Sequence, residues 1–194
     1  MSNNPDLEAA EAIRILGKEP DRWNGLREEY PEWLPDLGPA SLSKEDLRGA
    51  NLIGVRLSGC DLSGANLSGA NLSGSTLAGA NLEGICLKGA ILSGANLTEA
   101  NLEGADLRDA QLGKADLSWA EMTGARLEAA VLRGADLASA TLCGADLSSA
   151  ILIGAFLTET NFKDARLSGA DLRGARLEGT NLCNADLTET RFWD

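Results

Sequence analysis

From Leu37 to Phe192 every fifth residue is large and apolar, and the register never slips. Of these 32 positions 29 are Leu, with Met122, Phe162 and Phe192 as substitutes. Two residues before each, from Ala50 to Thr190, stands a small residue, Ala at 22 of 29 sites; Val55, Cys60, Ser75, Ile85, Thr160, Thr180 and Thr190 fill the rest. A period of five fits neither a helix at about 3.6 nor a strand at about 2.0. Two places after each centre, from Gly49 to Glu189, Gly holds 18 of 29 sites. Gly recurring there implies a backbone that needs positive φ at each corner, as the third residue of a type II turn does. Each pentapeptide is therefore a short extended piece plus a corner, with Leu and the small residue inward and three residues outward.

Four corners close a coil most simply, which sets 20 residues per coil. The 160 residues from Pro35 to Asp194 then form about eight coils, stacked as parallel strands about 4.8 Å apart in a rod of roughly 38 Å. Burial of each Leu contributes about 1.5–3 kcal/mol, an upper estimate because unfolded chains are partly compact.

Residues 1–34 read as a separate helical N-terminal cap, and 35–194 as the repeat. Asn4-Pro5 predicts a helix start, with Leu7, Ala10, Ile13 (or the stem of Arg14) and Leu16 on its apolar face and Gly17 as its stop. Asp21 is expected to cap a second helix carrying Trp23, Leu26 and Arg27, ended by Pro31. Trp23, Tyr30 and Trp33 crowd this segment, as expected of a plug over the first coil, since an open solenoid end exposes core and unpaired strand edge.

Apolar residues make up 44% of the chain but aromatics only 4%, so the core is Leu and Ala. The formal charge of −12 argues against direct binding of nucleic acid through phosphate neutralisation. No run of 18 apolar residues is present to span a membrane. Met1 to Asp6 lacks a secretory pattern, and Cys60, Cys86, Cys143 and Cys183 match no metal spacing. A cytoplasmic protein with reduced thiols is expected.

Ala-Asn-Leu-Ser-Gly at 65–69 and 70–74, Ala-Asp-Leu-Arg-Asp at 105–109 and Ala-Asp-Leu-Arg-Gly at 170–174 resemble the A(D/N)LXX unit of pentapeptide repeat proteins. The resemblance covers residues 35–194, and the segment from Arg22-Trp23-Asn24 to Leu37 is similar to the helical lead-in of such proteins from photosynthetic bacteria. It implies an all-β solenoid, a right-handed quadrilateral parallel β-helix of about eight coils with a small α-helical N-terminal cap; that hand agrees with the general preference of parallel crossovers. It also implies a protein without enzymatic activity, and, as the alternative, a DNA mimic that binds DNA gyrase or another nucleic-acid-binding protein. Against the alternative, residues 35–194 hold 21 acids and 13 bases, and Arg126, Arg133, Arg166, Arg173 and Arg176 are expected to interrupt any acidic stripe. The repeat also has no loop, whereas gyrase-binding members tend to carry them.

The chain contains no His, and neither a nucleophile–base pair nor a phosphate-binding loop is recognisable. Catalytic, cofactor-binding and metal residues are therefore not assigned, and no cofactor is expected. Assignment by position modulo twenty stacks Val131 on Ile151 where Asn or Asp is usual, with Ile91 on the same side, Ile153 beside Leu152, and Phe156 and Trp119 on the next side. These six predict an exposed apolar patch for an unknown protein partner. Phe192 and Trp193 are expected to cover the last coil or contact another molecule there. The expected state is a monomer or weak dimer.

Overall fold

The computed structural model describes Pro5 and residues 7–193. Every fifth residue from Asp36 to Asp171 bridges, in parallel, to the residue twenty further on, as in Asn51 to Asn71 and Val131 to Ile151. The chain is a right-handed quadrilateral parallel β-helix. Four ladders define its sides: side 1 runs from Asn51 to Arg191, side 2 from Asp36 to Arg176, side 3 from Ser41 to Asn181 and side 4 from Asp46 to Asp186, each in steps of twenty.

The backbone bonding repeats with the sequence. Each central Leu N–H donates to the coil above (Leu72 N to Ile91 O, 2.7 Å), and each residue before it donates to the coil below (Asn71 N to Ala50 O, 3.0 Å). The corner closes on itself, as when Ala50 N donates to Leu47 O at 3.1 Å. Corner glycines adopt φ near +65°, as the sequence requires; Gly49 is at +65°. The corners without Gly take the same conformation, Trp119 at +62° and Ala129 at +57° among them. Ladder hydrogen bonds on both sides over-determine those corners, so the left-handed cost of about 1–2 kcal/mol for a non-Gly residue is carried locally.

The inward Leu and Ala are buried from Ala40 to Leu172. The polar substitutes at inward small positions are satisfied: Ser75 Oγ donates to Leu72 O and Thr160 Oγ1 to Leu137 O, both at 2.8 Å. In the outward position before Leu, Asn or Asp accepts from the backbone two residues on, as in Asn66 Oδ1 from Ser68 N at 3.1 Å and Asp136 Oδ1 from Ala138 N at 2.9 Å. This Asx turn is the physical reason for the D or N of the repeat.

The front helices differ from expectation in their ends. Helix α1 is Ala9–Lys18 and helix α2 is Pro20–Glu29. Asn4 lies outside the described residues; Pro5 precedes the helix, and Gly17 continues it rather than stopping it. The break comes at Glu19, because Pro20 pushes its predecessor out of helical backbone (φ −135°, ψ 61°) and then opens α2 at its first position. Asp21 therefore lies inside α2, and Tyr30 ends it just before Pro31. Ala12, Ile15 and Leu16 form the buried face of α1, whereas Ala10 is exposed.

Candidate functional site

The helices cover the first coil by replacing the coil that would lie beneath it. Asn51 N–H, which a lower coil would satisfy, donates instead to Asn24 Oδ1 at 2.8 Å. Trp23 Nε1 donates to Asn51 O at 2.9 Å, and Arg27 Nη2 to Ile53 O at 2.7 Å, while Arg27 Nη1 donates to Trp33 O. Trp23 is fully buried against Trp33, ring centroids 5.3 Å apart. Burial pushes the Arg27 guanidinium below its usual range, and its Nε has no partner among the described residues. The sequence shows Trp23 and Arg27 as helix residues; their service to a sheet edge about 25 residues away is visible only when folded.

A cleft of about 490 Å³ lies where the helices meet the first coil, lined by Gly17, Lys18, Pro20, Asp46 and Arg48. Its charges are spent on each other: Lys18 Nζ lies 2.6 Å from Glu45 Oε1, and Arg48 Nη2 lies 2.6 Å from Asp46 Oδ2. Among the described residues no three His, Cys, Asp or Glu side chains converge to hold a metal. Chemistry is therefore to be sought on the outer surface.

Side 1 stacks Ile91, Gln111, Val131 and Ile151 in one ladder. Ile91 is 38% exposed; Val131, Ile151 and Ile153 are half-buried by their neighbours. Ile153 ends side 1 and Phe156 begins side 2, so the two flank the corner at Gly154. Phe156 is 37% exposed, and the Arg176 guanidinium lies 4.8 Å above its ring centre. Trp119 does not join them. It occupies the far corner of side 2, two coils from Phe156, where it is 61% exposed in the column that also holds Glu99, Ser139 and Glu159. The five other residues share one edge and its flanking side; Trp119 belongs to another.

Charge is sorted by side, which composition conceals. Arg126 and Arg166 stand on side 4, and Arg133 and Arg173 on side 1. Between Thr76 and Glu159, sides 2 and 3 and their shared corner carry Glu83, Glu99, Glu103, Asp116, Glu121, Asp136 and Glu159, a run bounded by Arg56 and Arg176 on side 2 and by Lys44 and Lys163 on side 3. Of the five arginines expected to interrupt an acidic stripe, Arg176 does so at the upper end of side 2, while the other four stand on sides 4 and 1, because a stripe along a rod is read every twentieth residue and not along the chain. On side 4 the charges pair within the ladder: Asp106 with Arg108 at 2.5 Å and Asp146 with Arg166 at 3.4 Å. On side 1 the Arg173 guanidinium, hydrogen-bonded to Asp171, holds that carboxyl at about 2.

At the far end, Trp193 is 82% exposed and touches Phe192, ring centroids 5.7 Å apart. Leu177, Leu182 and Phe192 remain half-buried and Leu187 is exposed, so Trp193 does not lie over the last coil.

Fold and surface together define a solenoid whose polar and charged side chains, among the described residues, lie mostly on its outer faces. The sequence profile of pentapeptide repeats matches in eight copies across residues 36–194. The chain belongs to the pentapeptide repeat family. Among solved structures it is similar to trypsin-treated QnrB1, a plasmid-mediated fluoroquinolone resistance protein (20% identity, 79% of this chain and 86% of that one, TM-score 0.60), a likeness of fold. It is also similar to HetL, a pentapeptide repeat protein involved in heterocyst differentiation regulation from the cyanobacterium Nostoc sp. strain PCC 7120 (33% identity, 78% and 84% covered, TM-score 0.42). A pentapeptide repeat protein from the Arabidopsis thaliana thylakoid lumen is 35% identical over 62% of this chain and 66% of that one, TM-score 0.28. No curated protein matches the chain. Among the described residues no helix is long and apolar enough to cross a membrane.

Proposed function

We propose that the protein is a non-enzymatic, rigid interaction module of the cytoplasm, monomeric or weakly dimeric, that presents the edge between sides 1 and 2 to a protein partner. One observation carries this reading. At Val131, Ile151 and Phe156 an apolar residue replaces the Asn or Asp whose Asx turn the repeat uses elsewhere, forgoing a hydrogen bond of about 0.5–1.5 kcal/mol. Val131 and Ile151 stack in one ladder, and Ile153 leads along side 1 from Ile151 to Phe156 across the Gly154 corner, so apolar side chains line up where an interface needs apolar surface. The Ile151→Asp/Phe156→Asp double variant should keep its thermal melt and lose the partner that co-purifies with the wild type. Unchanged sedimentation and unchanged co-purification would refute the reading.

A second reading, imitation of duplex charge toward gyrase or another nucleic-acid-binding protein, draws support from the acidic run between Thr76 and Glu159 on sides 2 and 3. Inhibition of gyrase supercoiling that disappears in Glu99→Gln/Glu103→Gln/Asp116→Asn would favour it, and no inhibition by the wild type would dismiss it.

A further inference from the structure

We infer that the edge between sides 1 and 2 takes an acidic amphipathic helix of a partner protein. The inference rests on the interaction-module reading and adds the chemistry of the partner. Around this edge the chain, at a net charge of −12, holds three cations outside any ion pair, with Asp116 and Asp136 on the adjoining side 2. Lys114, Arg133 and Arg176 form no ion pair with any described residue, whereas on side 4 Arg48, Arg108, Arg126 and Arg166 each have a carboxylate partner. Arg176 instead lies over the Phe156 ring, 4.8 Å from its centre, which sets a guanidinium beside an apolar surface.

The cations interleave with the apolar residues. Along side 1, Ile153 stands one coil above Arg133, and the Gly134 N–H to Ile153 O bond (3.0 Å) marks that neighbouring. Between the two sides the corner is Gly134, Gly154 and Gly174 in succession, so no side chain rises from it. The result is a bare ridge flanked by Ile153 on one side and Phe156 on the other, with guanidinium groups at both ends.

A helix suits this spacing. Coils repeat about every 4.8 Å and helical turns about every 5.4 Å, so apolar residues one turn apart meet successive coils. From Lys114 to Arg176 the edge spans three coil steps, about 14 Å, or about ten helical residues. Carboxylates flanking the apolar stripe would pair with the forked guanidinium groups, and Arg and aromatic anchors are the residues that dominate such interfaces. A polyphosphate fits worse, because it has no apolar surface to set against Ile153 and Phe156 between the cations.

The test selects displayed helical peptides of about 16 residues, longer than the edge, on the wild-type protein and on Arg133→Glu/Arg176→Glu. Both proteins are first shown to melt alike. The expected outcome is enrichment on the wild type of peptides with net negative charge and apolar residues one turn apart. Their affinity should fall about tenfold or more on charge reversal and weaken in raised salt. Enriched peptides that are neutral or basic, or that bind the charge-reversed protein equally, would overturn the inference. So would a labelled DNA duplex, or self-association in sedimentation, that depends on Arg133 and Arg176. Binding abolished by Ile151→Asp/Phe156→Asp but indifferent to charge reversal leaves the interaction face in place and removes only the acidic partner.

Discussion

Replacement of Asn24 by Ala should unfasten the first coil while leaving the middle of the rod intact. The side chain makes two bonds to the edge: Nδ2 donates to Gly49 O at 3.1 Å, and Oδ1 accepts from Asn51 N at 2.8 Å. At a net 0.5–1.5 kcal/mol each, their loss costs about 1–3 kcal/mol, and the Asn51 N–H keeps no protein acceptor. In a stack of repeats each coil contacts only its neighbours, so the loss is local. Native-state hydrogen exchange reads this directly. Exchange at Asn51 should accelerate roughly 5- to 150-fold, the conversion of that free energy at about 1.4 kcal/mol per decade. Asn101, whose N–H bonds Ala80 O at 3.0 Å in the middle of the rod, should not change. Asn24→Asp keeps the acceptor and sets a carboxylate oxygen against the Gly49 carbonyl, so it should recover part of the protection at Asn51. Equal acceleration at Asn51 and Asn101 would mean that the rod opens as one unit. No acceleration at Asn51 would mean that the helical cap is dispensable.

Trp119→Gly should stabilise the protein slightly in urea denaturation, since relief of about 1–2 kcal/mol of left-handed strain exceeds the added backbone entropy of about 0.5–1 kcal/mol; a loss of stability would show that the indole packs. Asp171 has its folded carboxyl at about 2, against an ordinary 3.8, chiefly through Arg173. A depressed folded value stabilises above the unfolded one and is lost as pH falls, so part of the acid destabilisation between about pH 4 and pH 2 should vanish from the melting curves of Asp171→Asn. Thiol reagents should modify exposed Cys183 first and reach Cys60 only on unfolding, because Cys60 is buried and burial pushes its thiol up; early labelling of Cys60, read by mass spectrometry, would contradict the packed first coils.

The solenoid was legible because its constraint is local and repeated. Leu in, small residue in and left-handed corner follow from five residues at a time, and the ladder merely adds up to the fold. The helix ends were less legible: Asn4-Pro5, Asp21 and Gly17 are sound local signals, but Pro20 breaks the backbone at Glu19 and sets both boundaries. The stacking of Val131 on Ile151 was readable by counting in twenties. The departure of Trp119 from that patch required knowing that positions three residues apart on one side lie at opposite corners.

The pentapeptide period alone determined the coil, its buried leucines and the positive φ of its corners, since neither a helix at about 3.6 nor a strand at about 2.0 repeats every five residues. Only the tertiary structure decided what the surface offers. Wrapping brings residues twenty apart into columns, and that geometry gathers the carboxylates on sides 2 and 3, leaves Lys114, Arg133 and Arg176 unpaired around Ile153 and Phe156, and sets Trp23, Asn24 and Arg27 against an edge that no nearby residue could have met.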